Sequence, residues 1–175
     1  VAVEATVCGT LGNLTAGKAK RNRFRNEDGL RGLLFDGLNG DEDAREWGSM
    51  VLCTDAADVS YKTTWPQESW RRSLLHFWDD LVDDGRLDDS PEDTAGGMSY
   101  GSLAASVVVP AGGTATVTFC LSWHFPNRYN WAPGTIECDC ATKKLNPADR
   151  IGNYYTEQYA DAWDVTLREF PRLPE

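Results

Sequence analysis

The chain has 175 residues, enough for one domain with a substantial hydrophobic core and too few for two ordinary domains. Its 27 acidic residues against 17 Lys and Arg give a net charge of −10, which opposes binding to nucleic acid or to anionic lipid. No run of residues approaches the roughly 20 apolar residues that a membrane-spanning helix needs, so we expect no transmembrane segment.

The first third of the chain predicts short β-strands. Apolar and polar side chains alternate over residues 1–8, which is typical of a half-buried strand. The Gly-rich, basic residues 9–28 that follow predict a loop. Short apolar or β-branched runs bounded by Gly, Asp or Pro then predict three more strands, at residues 30–35, 50–54 and 59–65.

The apolar pattern changes its period after Pro66. Five large apolar side chains fall at the spacing of one helical stripe, and Gly85 is a suitable end for that helix. The stripe consists of Trp70, Leu74, Phe77, Trp78 and Leu81. The acidic, Gly-rich residues 83–97 that follow predict a solvated loop.

The second half of the chain predicts a hairpin, a long loop and a final helix. Residues 102–109 and 114–123 are strand-like and are joined by Pro-Ala-Gly-Gly, a tight connection. Residues 127–150 have no clear period and predict a loop. Over residues 155–170 the apolar side chains recur at helical spacing, and the helix is expected to end before Pro171. We therefore predict a mainly β chain, an antiparallel β-sandwich with one internal and one C-terminal helix.

The acidic side chains do not identify a catalytic or metal site. Carboxylates crowd residues 79–93, but an EF-hand frame fails there because Val82 and Pro91 stand where ligands are needed. A hydrated acidic loop is the preferred interpretation, and a different kind of calcium site is the alternative. Among 27 acids some pair always has a glycosidase-like separation, so abundance does not identify a catalytic pair.

A basic run near the start of the chain is the one local exception to the acidic balance. It lies in the predicted loop and consists of Lys18, Lys20, Arg21, Arg23 and Arg25. A nucleic-acid patch is one interpretation, but we expect the run to pair with acidic groups of its own or a neighbouring domain.

The five cysteines favour an intracellular protein with reduced thiols. Their odd number leaves at least one without a partner in the chain, and the start of the chain has no signal-peptide pattern. The reduced thiols predict a cytoplasmic location. We also expect no cofactor and no metal. A zinc site built from Cys138, Cys140, His124 and one further ligand is the alternative.

Aromatic side chains cluster after residue 122 and again on the predicted final helix. Such rings suit sugar binding when polar groups stand nearby, but burial in the core or against another domain is the preferred interpretation. The first cluster is Trp123, Phe125, Tyr129 and Trp131, and the second is Tyr154, Tyr155, Tyr159 and Trp163.

The segment 121–128, Leu-Ser-Trp-His-Phe-Pro-Asn-Arg, resembles the N-terminal domain of glycoside hydrolase family 116. That family includes non-lysosomal glucosylceramidase, which is also a bile-acid β-glucosidase, and related microbial β-glucosidases. Further similar segments keep the same order, so the resemblance extends over roughly residues 21–170. They are residues 59–65, 74–80, 84–87, 152–155 and 159–165.

The resemblance implies both a fold and a role. Family members have a β-sandwich N-terminal domain packed on a C-terminal (α/α)6 barrel, and they cleave β-glucosides with retention. Residues 1–152 are then the β-sandwich, and residues 153–175 are the start of an interdomain linker helix. The implied partner is the C-terminal (α/α)6 catalytic domain of the same polypeptide, through which a β-glucoside substrate is bound.

The resemblance also implies that this chain is inactive by itself. The Glu nucleophile and Asp acid/base of the family lie in the barrel and have no counterpart here, so no catalytic residue is predicted. We expect Arg128 to pair with a barrel carboxylate through a bidentate bond. The residues expected at the seam between the domains, or at a rim near the sugar pocket, are Trp123, His124, Phe125, Asn127, Arg128, Tyr155, Asp161 and Trp163.

Two functions of other classes stay open at this point. A free-standing carbohydrate-binding module would use the same aromatic side chains, and an interaction domain would bind a separate protein. The aglycone also stays open, with glucosylceramide, a bile-acid glucoside and a plant oligosaccharide as candidates.

Overall fold

The computed structural model describes residues 1–66, 70–88, 92–130 and 149–173. The elements found there are β1 (Val3–Gly12), β2 (Ala19–Glu27), β3 (Leu30–Leu38), β4 (Ser49–Thr54), β5 (Val59–Lys62), α1 (Trp70–Asp84), β6 (Glu92–Ala95), β7 (Tyr100–Val109), β8 (Phe119–His124) and α2 (Ala162–Glu169). The strands form two antiparallel sheets, with the orders β1-β7-β5 and β6-β2-β3-β4-β8. The predicted mainly β, antiparallel architecture is confirmed.

The main hydrophobic core lies between the two sheets. Leu33 and Phe35 of β3 and Met50 and Leu52 of β4 point towards Leu103 of β7, and these five side chains form one buried cluster. Side chains alternate between the two faces of a strand, so every second residue of β3 and β4 belongs to this core. The two sheets are therefore held together as a sandwich by apolar burial.

Helix α2 covers the other face of the five-stranded sheet. Leu34 and Val51 point to that face and pack with Ala162 and Trp163 of the helix. The N–H of Ala162 donates to Ser49 Oγ at 2.9 Å, which fixes the start of the helix on β4. Because the middle of β3 and of β4 is covered on both faces, residues 33–35 and 50–53 are continuously apolar and do not alternate.

The final helix is shorter than its apolar spacing predicts. A 3-10 turn at Tyr154–Glu157 comes first, and α2 begins only at Ala162. Between them Asp161 has an extended backbone, with φ −158°, and its carboxylate accepts the N–H of Asp164 at 2.8 Å as a helix N-cap. The prediction that the helix ends before Pro171 is confirmed.

Helix α1 lies against the outer face of the three-stranded sheet. Phe77 is buried against Ala104 of β7, and Leu81 packs on the same cluster. Gly85 ends the helix with φ +78°, as its position predicts. The predicted stripe is wrong in part, because Trp78 is 51% exposed. Phe77 and Leu81, one turn apart, face the sheet, and the other side of the stripe turns to solvent.

Residues 19–27, predicted as a loop, form β2 and pair along their whole length with β3. Phe24 packs against the core between the sheets. Arg21 and Arg23 alternate with it on the outer face, and both donate to the carboxylate of Asp36. The strand was missed because basic side chains on one face hide its period of two. The expected pairing of the basic run with an acid of its own domain is found at these two arginines.

The acidic segment after α1 also contains a strand that sequence reasoning missed. Glu92–Ala95 forms β6, which pairs with β2 opposite Lys20 to Arg23. A short strand of polar residues carries no apolar period, so its pairing through the backbone leaves no signal in the sequence.

The predicted hairpin of residues 102–109 and 114–123 is wrong in its pairing. β7 pairs with β1 and β5, whereas β8 pairs with β4 in the other sheet. A tight turn does form, with the N–H of Gly113 donating to the carbonyl of Pro110 at 2.9 Å. The chain then crosses to the other sheet. Alternation identifies a strand but does not identify its partner.

The predicted loop at residues 127–150 is described only at its two ends, where Tyr129 and Arg150 form an isolated β-bridge. Trp131, Cys138 and Cys140 lie outside the described residues, and so does most of the alternative zinc site. Within the described ranges, no helix combines the length and the apolar content needed to cross a bilayer.

Candidate interdomain surface

Strand β8 is at one edge of the five-stranded sheet in the part of the chain that the structure describes. Ser122 and His124 are buried on the side of α2, whereas Leu121 and Trp123 are 46% and 53% exposed on the other side. Edge strands of soluble domains are normally short, charged or covered, because an uncovered apolar edge invites association. β8 is therefore the centre of the candidate surface.

An apolar groove of about 470 Å³ runs between the edge of β8 and α2. Its principal apolar lining is Leu121, Trp123, Tyr155, Val165, Phe170 and Leu173. Sequence reasoning selected Trp123 and Tyr155 for the site and missed the other four. The helical spacing of Phe170 and the strand alternation of Leu121 were usable signals, but nothing periodic marks Leu173.

His124 fastens the segment before α2 to the end of β8. Its ring is buried, and Nε2 lies 3.0 Å from the carbonyl oxygen of Tyr159 and 3.4 Å from that of Thr156. Both neighbours are acceptors, so Nε2 carries the proton and donates it. The imidazole also meets the ring of Tyr155 edge to face, with 6.1 Å between centroids. His124 therefore contacts the buried side of Tyr155, which lines the groove.

The Phe125 side chain packs against the core between the sheets. Its backbone is fixed by two hydrogen bonds. Its N–H donates to Tyr155 Oη at 3.0 Å, and its carbonyl accepts Asn153 Nδ2 at 2.8 Å. Gly48 lies directly beneath, where an added Cβ would stand 2.1 Å from the carbonyl oxygen of His124. These contacts fix the backbone at the point where the chain leaves β8.

Asn127 and Tyr129 tie the segment after β8 to the loop that precedes β4. Asn127 is buried, and its Nδ2 donates to the carbonyl of Glu42 at 2.6 Å. The Tyr129 hydroxyl donates to the carbonyl of Asp43 at 2.5 Å. Arg128, which stands between them, is exposed and pairs with no acidic group in the described ranges.

Trp163 and Asp161 hold α2 on the sheet. Trp163 is 2% exposed, and its Nε1 donates to Glu27 Oε2 of β2 at 2.7 Å. The guanidinium of Arg25 lies over the same ring, 5.6 Å from the centroid. In this domain the indole is therefore an interior anchor, and Asp161 is the cap of the helix that carries it.

The structure brings together half of the residues predicted for the seam or rim. At the end of β8, Trp123 is at the surface and three residues stand behind it: His124, Phe125 and Tyr155. Asn127 and Arg128 continue along the next loop, and Asp161 and Trp163 belong to the anchorage of α2. Contact of this set with a second domain stays a prediction.

One carboxylate lines the otherwise apolar groove. Glu169 Oε1 accepts the Tyr159 hydroxyl at 2.7 Å and Arg172 Nη1 at 2.9 Å. The hydrogen bond from Tyr159 lowers the pKa of Glu169, and the same bond raises the pKa of Tyr159. Glu169 is therefore kept ionised at the edge of the groove by groups of this chain.

A second cavity, of about 510 Å³, lies beside α1 and is lined mainly by acidic residues. Lys62 Nζ donates to Asp80 Oδ2 at 2.8 Å, and the N–H of Asp88 donates to the same oxygen at 3.2 Å. Burial opposes the ionisation of Asp80, but these bonds outweigh it and lower its pKa. Among the described residues, no cluster of three or more potential metal ligands occurs.

The fold and the surface define a β-sandwich domain with an uncovered apolar edge. Over residues 2–174 the chain matches the family described as beta-glucosidase 2, glycosyl-hydrolase family 116 N-term. The chain therefore belongs to the N-terminal domains of glycosyl-hydrolase family 116, and membership implies a linked catalytic domain. The resemblance predicted from residues 121–128 is confirmed. None of the curated proteins compared with the chain matches it.

Proposed function

We propose that this chain is the non-catalytic N-terminal β-domain of a retaining β-glucosidase or glucosylceramidase. It packs on the catalytic (α/α)6 barrel of the same polypeptide, supports it and shapes the entrance to its sugar pocket. The family match over residues 2–174 carries the proposal. Hydrolysis of the glucoside is then an activity of the whole polypeptide, to which this domain contributes no reacting carboxylate.

The groove beside β8 is the surface proposed to meet the barrel. Leu121 and Trp123 line this groove and are exposed on the side of β8 away from α2, and burial of such apolar area stabilises by about 25 cal/mol per Å². Leu173 lines the same groove and is itself 51% exposed, which adds to the apolar area of this face. Both observations favour this face over the exposed side of α1.

Arg128 is proposed to act at the polar rim of the same interface. It follows directly on the segment that carries Trp123, and it is exposed without an acidic partner among the described residues. A guanidinium in this position forms a bidentate pair with a carboxylate of the barrel, which fixes the relative orientation of the domains.

The test is to isolate the native species from its source cells with an antibody to this chain. We expect a polypeptide several-fold heavier than 19.4 kDa that hydrolyses an aryl β-glucoside. Nuclear magnetic resonance of the first-formed product should show the β-anomer of glucose, because a retaining mechanism preserves the configuration.

A native species of about 19.4 kDa without glucosidase activity would overturn the proposal. Saturable binding of a glucoside by that species would then favour a carbohydrate-binding module. Capture of a separate catalytic polypeptide in stoichiometric amount would favour an interaction domain.

A further inference from the structure

Two cysteines lie directly opposite each other on neighbouring strands. Cys53 of β4 and Cys120 of β8 are register partners in the antiparallel pair. Both side chains point to the α2 face of the sheet, where they pack on the same apolar cluster. Both are free thiols. Residues opposed in this way have Cα atoms about 4.5–5.5 Å apart, which lies within the range that a disulfide spans.

The two thiols differ in their access to solvent. Cys53 is fully buried, whereas Cys120 is half-buried and lines the groove of about 470 Å³ beside β8. The hydrogen bond with Cys53 lowers the pKa of Cys120 to about 7, and the same bond together with burial raises the pKa of Cys53. A reagent from solvent therefore reaches the Cys120 thiol first, and Cys53 lies opposite it on the neighbouring strand.

We propose that Cys53 and Cys120 form an oxidisable dithiol, a modification site at which a low-molecular-weight disulfide such as oxidised glutathione produces a cross-strand disulfide. The inference rests on the register of β4 and β8 and on the access of the groove to Cys120. It therefore competes with the proposed barrel contact, because a barrel that covers this groove would protect Cys120 from the oxidant.

The reaction takes two exchange steps. The Cys120 thiolate attacks one sulfur of oxidised glutathione, so that a mixed disulfide forms and one glutathione thiolate leaves. Cys53 then loses its proton and attacks the Cys120 sulfur, which forms the Cys53–Cys120 bond and releases the second glutathione thiolate. The dithiol loses two electrons and two protons in total, and two molecules of reduced glutathione carry them away.

Formation of this bond would lock the edge strand to its neighbour. In the reduced protein β8 is held on β4 by non-covalent interactions. The new bond would lie beneath α2, since Cys53 packs with Ala162 and Trp163. Cross-strand disulfides are often strained, so we expect this one to be reduced readily by thiols.

The test uses the whole protein with Cys138 and Cys140 replaced by Ser, so that three thiols remain within residues 1–175. After treatment with oxidised glutathione the protein is unfolded in denaturant, free thiols are blocked with iodoacetamide, and the unreduced digest is analysed by mass spectrometry. We expect one linked peptide pair, joining Cys53 to Cys120, and its disappearance after dithiothreitol. Cys8 on β1 should be recovered as the alkylated free thiol, with no link to another cysteine.

Matched variants separate the two exchange steps. Cys53→Ser should stop at a mixed disulfide of glutathione on Cys120, Cys120→Ser should leave Cys53 unmodified, and Cys8→Ser should leave the link intact. If one of these variants fails to fold, the protein that carries only the two replacements at Cys138 and Cys140 still shows whether Cys53 and Cys120 become linked. Full alkylation of both Cys53 and Cys120 after the oxidant, in protein with an unchanged circular dichroism spectrum, would overturn the proposal. A link from either residue to Cys8 would do the same.

Discussion

Asn22 is fully buried on β2, and its amide group joins parts of the chain that are far apart in sequence. Its Nδ2 donates to the Thr63 carbonyl and to Ser99 Oγ, both at 2.6 Å, and its Oδ1 accepts Asn13 Nδ2 at 2.9 Å. A buried polar group that loses its partner costs more than an average hydrogen bond contributes, so this network is stabilising only while it is complete.

We expect Asn22→Ala to lower the free energy of unfolding by about 1–3 kcal/mol, because the partners of the amide stay buried. Urea denaturation of the whole protein measures this change. Asn26→Ala is the matched control, since Asn26 is exposed on the same strand and should change the free energy by less than about 0.5 kcal/mol. Equal losses in the two variants would show that the network does not stabilise the fold.

The thiols of Cys120 and Cys8 should respond differently to pH. The pKa of Cys120 is about 7, whereas burial raises the pKa of Cys8 above its ordinary value. The thiolate is the reactive form, so alkylation of Cys120 should increase as the pH rises through 7 and that of Cys8 only at much higher pH. At pH 7 we expect at least a roughly tenfold faster reaction at Cys120. Rates from peptide mass spectrometry that are similar at the two sites would contradict this expectation.

At the scale of single elements, α2 is short, and its position depends on its first residues. It has eight residues, too few to be stable alone, and it buries Trp163 against the five-stranded sheet. The cap at Asp161 satisfies one free N–H of the first turn and sets the point at which the chain enters the helix. The groove beside β8 exists only while this helix stays in place.

Replacing the cap should therefore destabilise the domain. We expect Asp161→Ala to lower the free energy of unfolding by about 0.5–2 kcal/mol, because the N–H of Asp164 loses its acceptor. Thermal and urea unfolding measure the effect. Asp161→Asn retains a side-chain oxygen and should recover most of the loss. If the Asn variant is as unstable as the Ala variant, the cap is not the cause.

The sequence predicts an element well where one face is apolar and the other polar. α1 and β8 follow from their periods, and β4 follows from a short apolar run. β2 does not, because Arg21 and Arg23 occupy the face where alternation would be read. The sequence predicts β1 as a strand, but Val7 is exposed and Cys8 packs on the cluster beneath α1. Apolar alternation shows which residues share a face, and it does not show which part of that face another element covers.

The candidate surface follows from the sequence only in part, because it is assembled from distant segments. Trp123 can be selected from its own motif. Trp163 is equally aromatic, but its place inside the domain depends on Glu27, which lies 136 residues away. Leu173 enters the groove only because α2 folds back over the sheet. Interactions over such distances are tertiary and leave no local pattern.

At the scale of the whole molecule, the proposed contact with the barrel can be tested by comparing two tryptophans. Trp123 on β8 and Trp78 on α1 are 53% and 51% exposed, but they lie on different faces of the domain. In the complete enzyme we expect Trp123→Ala to weaken the domain interface by roughly 1–3 kcal/mol, because an apolar anchor is lost. The thermal midpoint of the enzyme and its kcat/KM for an aryl β-glucoside should both fall.

Trp78→Ala removes the same side chain from a similarly exposed position and serves as the control. It should leave the glucosidase kinetics unchanged and lower the thermal midpoint less. A larger effect of Trp78→Ala than of Trp123→Ala would place the barrel on the α1 side of the domain. No effect of either substitution would show that neither tryptophan contacts the catalytic domain.

The pairing of β1 with β7 has a consequence for the order in which the domain is assembled during synthesis. Val3 pairs with Val109 and Gly12 with Tyr100, whereas β2, β3 and β4 pair in sequence within residues 19–54. β1 therefore waits, after its own synthesis, for the chain to grow by nearly 100 residues, roughly 5–20 s at about 5–20 residues per second. During that interval the valines of β1 have no partner strand and are open to a chaperone or to a neighbouring nascent chain.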